Sequence, residues 1–189
     1  MYKLKIGIKG KVDLLMHKLP YSSEEEYKDS KEVTKILQKN PFDKKAVARA
    51  VEMCIYRNED GDVCFPAEWI EKSLERAAVQ FKIPGQGKKT YMDSMKSQVL
   101  VEPSLIKLEH DGYITDMKSV TINKKSRILR HRPLFKAGWG AEFILSIFDD
   151  SVTSDIIEEI IRYAGFYGGL GDYRPKYGRF VVTSVEEVE

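Results

Sequence analysis

Gly168-Gly169-Leu170-Gly171-Asp172-Tyr173-Arg174-Pro175-Lys176-Tyr177-Gly178-Arg179-Phe180 is the stretch that organises the reading of this chain. Glycines at 168, 169 and 171 permit backbone conformations denied to other residues and let a partner approach main-chain N–H groups. Arg174, Lys176 and Arg179 bring positive charge into the same few residues, and Tyr173 and Tyr177 bracket Pro175 where they could stack on bases. The loop is therefore expected to be a phosphate-backbone cradle; the plainer alternative is a loop packed on a sheet with its cations in solvent.

Working outward, Ala141 to Phe148 is an apolar run that reads as a buried strand. Thr153, Ser154 or Asp155 starts a helix whose buried face is Ile156, Ile157, Ile160, Ile161 and Ala164, with Asp155 and Glu158 at capping-box spacing. Gly165 is its expected stop. Arg179 to Val185 follows the loop as a last strand, so the C-terminal third is a β-α-β unit on a mixed sheet.

At the other end, Leu4, Ile6 and Ile8 alternate with lysines, and the apolar signal resumes at Val12, Leu14 and Leu15, predicting a strand over 2–15. Residues 21–40 are a polar insertion, read either as a solvated helix or as a mobile segment. Asp43 caps a helix carrying Ala46, Val47, Ala50, Val51 and Cys54. Asp60-Gly61 centres a small hairpin, and Pro66 opens a helix with a stripe from Trp69 to Phe81. Strands are expected over Val99–Leu108, Tyr113–Ile122 and Arg127–Phe135, the last two joined by a turn at Asn123-Lys124-Lys125-Ser126.

Charge separates function classes by its distribution, since 31 basic residues nearly cancel 29 acidic ones. Between Lys118 and Lys136 there are seven Lys or Arg and no acid, whereas Asp149–Glu159 and the tail are acidic. In an extended strand Arg130 and Arg132 share a face and lie about 6.6 Å apart along it, close to the spacing of successive phosphates. A solvated hairpin is the plainer reading of the same charges. Gly87-Lys88-Lys89-Thr90 lacks the earlier glycine and the preceding strand of a phosphate-binding loop. Cys54 and Cys64 read as reduced thiols, no cofactor or resident metal is expected, and Asp60/Asp62 and Asp149/Asp150 read as turn and cap residues. With no apolar run long enough to span a bilayer, the expected address is the cytoplasm, without membrane association.

The loop from Gly169 to Phe180 resembles the C-terminal glycine-rich loop of the RAMP superfamily of CRISPR ribonucleoproteins. Asp60 to Pro66 followed by Trp69, Ser73 and Leu74, and Arg130 to Gly140 before the next strand, are similar to further segments of its backbone subunits. The resemblance implies a single α+β domain over 1–189 with a ferredoxin-like sheet packed with helices, as in RNA-recognition motifs. It also implies non-catalytic binding of RNA or another single-stranded nucleic acid. The binding residues carried by this reading are Arg130, Arg132, Gly169, Gly171, Tyr173, Arg174, Lys176 and Arg179. Ribonucleoprotein partners or further copies of the chain are expected. Two alternatives stand beside it. One is a self-assembling interaction module of phage or mobile-element origin. The other is a metal-independent guide-processing endoribonuclease in which His17, near Tyr21, is the candidate base.

Overall fold

A computed structural model describes residues 1–19, 23–122 and 126–188. The chain is mixed α/β, and its core begins with β1 (Tyr2–Gly10), whose Leu4, Ile6 and Ile8 are almost wholly buried. The expected strand over 2–15 is two strands. At Gly10 a Cβ would lie 2.1 Å from the Trp139 indole. That contact marks where the chain leaves the sheet, and β2 (Leu14–Leu15) pairs elsewhere.

The polar segment is helical over α1 (Glu24–Lys39), capped by Ser23, which accepts from the Glu26 N–H at 3.1 Å, with three glutamates in the first turn facing the helix dipole. Only Val33 of it is buried. Tyr21 lies outside the described residues. Asp43 caps α2 (Lys44–Glu52) as expected, accepting from Ala46 at 2.8 Å. β3 (Tyr56–Arg57) and β4 (Val63–Pro66) form the hairpin around Gly61, whose φ is 82°. Pro66 closes β4 instead of opening a helix, and α3 (Glu68–Ala78) starts two residues later.

After α4 (Met92–Gln98), the expected strand over 99–108 divides at Pro103, which has no N–H to give to a ladder. β5 (Val99–Glu102) joins the later strand Gly140–Ile147, while β6 (Leu105–Lys107) pairs with β4. β7 (Ile114–Ile122) and β8 (Ser126–Phe135) form the long basic hairpin, with Asp116 opposite Arg132 and Lys118 opposite Arg130. Lys124 and Lys125 of its expected turn lie outside the described residues. β9 (Gly140–Ile147) then returns to the core, followed by α5 (Ser154–Tyr163), a π-helical turn (Ala164–Gly168) and β10 (Phe180–Val188).

The main sheet has the order β10-β1-β9-β5, and every pairing in it is antiparallel. This corrects the expected mixed sheet. β9 and β10 run the same way, but β1 lies between them and hydrogen-bonds to both. α3 and α5 pack together, burying Ile70, Leu74, Ile157, Ile160 and Ile161. The capping box expected in α5 is absent, because Thr153 is the cap residue and Asp155 lies inside the first turn; Glu158 pairs with Arg162 one turn on, at 2.6 Å. Gly165 does not end the helix either. A Cβ there would lie 2.5 Å from the Phe180 carbonyl, so this glycine serves close packing, and the helical path runs on to Gly169 at φ 74°. Among the described residues, no helix is long and apolar enough to cross a membrane.

Candidate nucleic-acid interface

The glycine loop is fixed to the protein through its own main chain. Asp172 N–H donates to the Leu15 carbonyl at 2.8 Å, Gly178 N–H to that of Asp13 at 2.8 Å, and Leu170 N–H to that of Gly178 at 3.0 Å. Gly169, Tyr173, Lys176 and Tyr177 also spend their N–H groups inside the protein. These seven N–H groups are occupied by folding, which corrects the part of the expected open cradle that they would form. A Cβ at 178 would sit 1.9 Å from the Leu170 carbonyl oxygen and one at 171 would sit 2.5 Å from that of Leu15, both at positive φ. Glycine is required at both places by close backbone approach, and Leu170, just before Gly171, is completely buried.

Docking the loop brings Asp172 to the basic hairpin. Arg132, only 1% exposed, donates to Asp172 Oδ2 at 2.7 Å and to Asp116 Oδ2 at 3.2 Å, and its guanidinium carbon lies 5.1 Å from the centre of the Tyr173 ring. The expected phosphate ligand Arg132 is thus an interior ion-paired group. It joins hairpin to loop and is closed to solvent.

His17, just past β2, sits beside this network. Its Nε2 is 2.9 Å from an Arg130 terminal nitrogen and its Nδ1 is 3.7 Å from Asp172 Oδ2. A guanidinium only donates, so Nε2 must accept and the ring proton belongs on Nδ1, facing the carboxylate. The Asp172 carboxyl is held well below the usual carboxylate range, by the His17 ring foremost, against the opposing effect of burial. The Tyr173 N–H and the Arg132 guanidinium add to the lowering.

Lys118 completes the junction, reaching Asp116 Oδ1 at 3.0 Å and the Tyr177 hydroxyl. Burial works against its charge, but the bonds to Tyr177 and Asp116 outweigh it and raise its pKa.

The remaining cations behave differently. Arg130 is half-buried with the His17 ring as its partner, Lys176 is exposed, and Arg179 donates to the Pro175 carbonyl at 2.9 Å. Arg174 is half-buried, and burial, then the nearby Arg76 charge, lowers its pKa. Among the described residues none of Arg130, Arg174, Lys176 and Arg179 forms an ion pair with a carboxylate. Tyr173 is 46% exposed and held at φ 58°, with its ring between the buried Arg132 and solvent.

The site thus joins His17, Arg130, Tyr173, Arg174, Lys176 and Arg179, with Gly169 and Gly171 as framework. Asp172, Asp116 and Lys118 were not anticipated as its organisers. The cross-strand register of the hairpin would have placed Asp116 against Arg132. Of the other carboxylates considered, Asp62 pairs with Lys107 at 2.8 Å, chiefly for which reason its pKa is lowered. Asp149 accepts from the Ser151 N–H and Asp150 meets the N-terminal ammonium.

No family model matches the chain, and no curated protein matches it. Among solved structures, it is similar to a chain in the cryo-EM structure of the type III-B Cmr-beta complex bound to cognate target RNA, with a TM-score of 0.55 at 11% identity. That superposition covers all of this chain and 61% of the other, so this protein spans about three-fifths of that neighbour's length. A chain of a type IV-B CRISPR complex superposes at a TM-score of 0.46 and 8% identity, covering 97% of this chain and 90% of that one. The likeness to the Cmr-beta chain is one of fold.

Proposed function

We propose that this chain is a non-catalytic, cytoplasmic RNA-binding subunit of a CRISPR-type ribonucleoprotein, a relative of the RAMP superfamily formed as one domain over residues 1–189. The observation that carries the reading is the sorting of cations at the junction of hairpin and loop. Arg132 and Lys118 are neutralised by Asp116 and Asp172, while among the described residues Arg130, Arg174, Lys176 and Arg179 form no ion pair with a carboxylate. Unpaired cations flanking an exposed tyrosine suit a single strand, which offers phosphates to the first and a base face to the second. The strand order β10-β1-β9-β5, with helices crossing between non-adjacent strands, supports a ferredoxin-like reading of the sheet, and the Cmr-beta fold likeness supports the superfamily.

Purification at low salt tests this. The protein is expected to carry RNA that ribonuclease removes, and after stripping to rebind a single-stranded oligonucleotide more tightly than a duplex of equal length. Absence of binding at low salt contradicts the reading.

Phe166 and Tyr167, 59% and 56% exposed on the π-helical turn and in edge-on contact with each other, favour a protein neighbour as well. Native mass spectrometry checks this: ordered oligomers of the RNA-free chain would make self-assembly the primary role.

A further inference from the structure

Behind the hairpin, α1, α2 and β8 enclose a cavity of about 690 Å³, within the roughly 300–1,000 Å³ typical of small-ligand sites. Its walls are largely apolar, with Val33 and Leu37 from α1, Met53 beyond α2, and Ile128 and Leu129 from β8. One wall is anomalous. His131 is only 5% exposed, and among the described residues neither of its ring nitrogens has a partner in hydrogen-bond geometry. Burial lowers its pKa, opposed by the Pro41 carbonyl, which approaches the ring without completing a hydrogen bond. A buried imidazole normally has its donor and its acceptor satisfied, so an open pair facing a cavity marks a place for a complementary polar edge. Arg127 and Arg130 of the same strand stand at the rim, Arg127 exposed and Arg130 half-buried, so anionic charge is favoured there.

We propose that this cavity is a nucleotide site, taking one base between its apolar walls with the base edge against His131 and the phosphate at Arg127 and Arg130. The chemistry serves a free mononucleotide or one nucleotide of a bound strand. Only in the second case does the inference rest on the RNA-binding reading. A base matches both features, with a flat apolar face for the walls and a donor and an acceptor on one edge for His131.

The test uses the full chain stripped of nucleic acid, with adenosine and uridine 5′-monophosphates as probes followed by calorimetry. Thr34→Trp fills the cavity from an exposed position on α1, and His131→Phe removes the polar edge while keeping a ring. One equivalent of a mononucleotide is expected to bind, with affinity falling about tenfold or more in each variant and inorganic phosphate competing far more weakly. No mononucleotide binding, affinity unchanged in Thr34→Trp, or phosphate competing as well as the nucleotide would each overturn the proposal.

A single-stranded oligonucleotide separates the sources. A parallel loss of oligonucleotide affinity in Thr34→Trp assigns the base to a strand, and unchanged affinity assigns the cavity to a free nucleotide. Mononucleotide binding without any oligonucleotide binding sinks the RNA-binding reading and leaves the cavity assignment standing. Oligonucleotide binding without mononucleotide binding does the reverse.

Discussion

Asp172 accepts from Arg132 and faces His17, so one carboxylate holds together the hairpin, the loop and the segment after β2. Its pKa is depressed in the folded protein, so its contribution to stability is present above the unfolded carboxylate value of about 3.9 and is lost as pH falls through the folded value. Asp172→Asn is therefore expected to unfold at lower urea concentration than the parent at pH 7. The gap should narrow as the pH is taken below about 4, as followed by urea titration at several pH values. A gap that is constant with pH would refute this role. Asp116→Ala leaves the buried Arg132 guanidinium with one partner and is expected to cost roughly 3–5 kcal/mol by the same titration. Arg132 itself shows what strand alternation conveys. Its face was readable from the sequence, since Arg130 and Arg132 do lie on one side of β8, but alternation names a face without naming what covers it. The cover is a loop forty residues later, which no local pattern connects to the strand.

Among the elements, the glycine loop is held by main-chain contacts to the β1–β2 connection, and Gly178 is its tightest point. Gly178→Ala is expected to lower the melting temperature strongly, at about 2–4 °C for each kcal/mol in a chain of this size, because the Cβ meets backbone that cannot move aside. Gly85→Ala is the comparison, with the same φ of 75° but nothing within 4 Å, and only the backbone penalty of roughly 1–2 kcal/mol is expected. Equal effects in a thermal melt would show that the close approach is unimportant. Elements with strong period were legible. β7, β8, β9 and the buried face of α5 follow from apolar spacing, and the Asp43 cap from its side chain. The break at Gly10 was hidden, since it separates two apolar runs that read as one strand and its reason is a distant contact, the Trp139 indole, whereas the break at Pro103 was written in the missing N–H of that residue and only the new partner of β6, β4, was not. The cavity beside His131 was equally illegible, because it needs α1 and α2 to fold against β8, and α1 carries a single buried residue as its signal.

For the molecule as a whole, a net charge of +2 conceals a division into basic and acidic regions. The basic hairpin and the glycine loop meet through Asp172, while the acids of α5 and β10 are spent elsewhere or exposed. Binding driven by such a surface releases counterions from a polyanion and must weaken as salt rises. The most direct measurement is the dependence of single-stranded RNA affinity on salt concentration, for the parent chain and for Arg174→Ala with Lys176→Ala. The expected result is tight binding at low salt with a steep logarithmic slope, reduced by about 1.4 in the double variant, or about 0.7 for each phosphate contact removed. A slope unchanged by the two substitutions, or no affinity at low salt, would contradict the account.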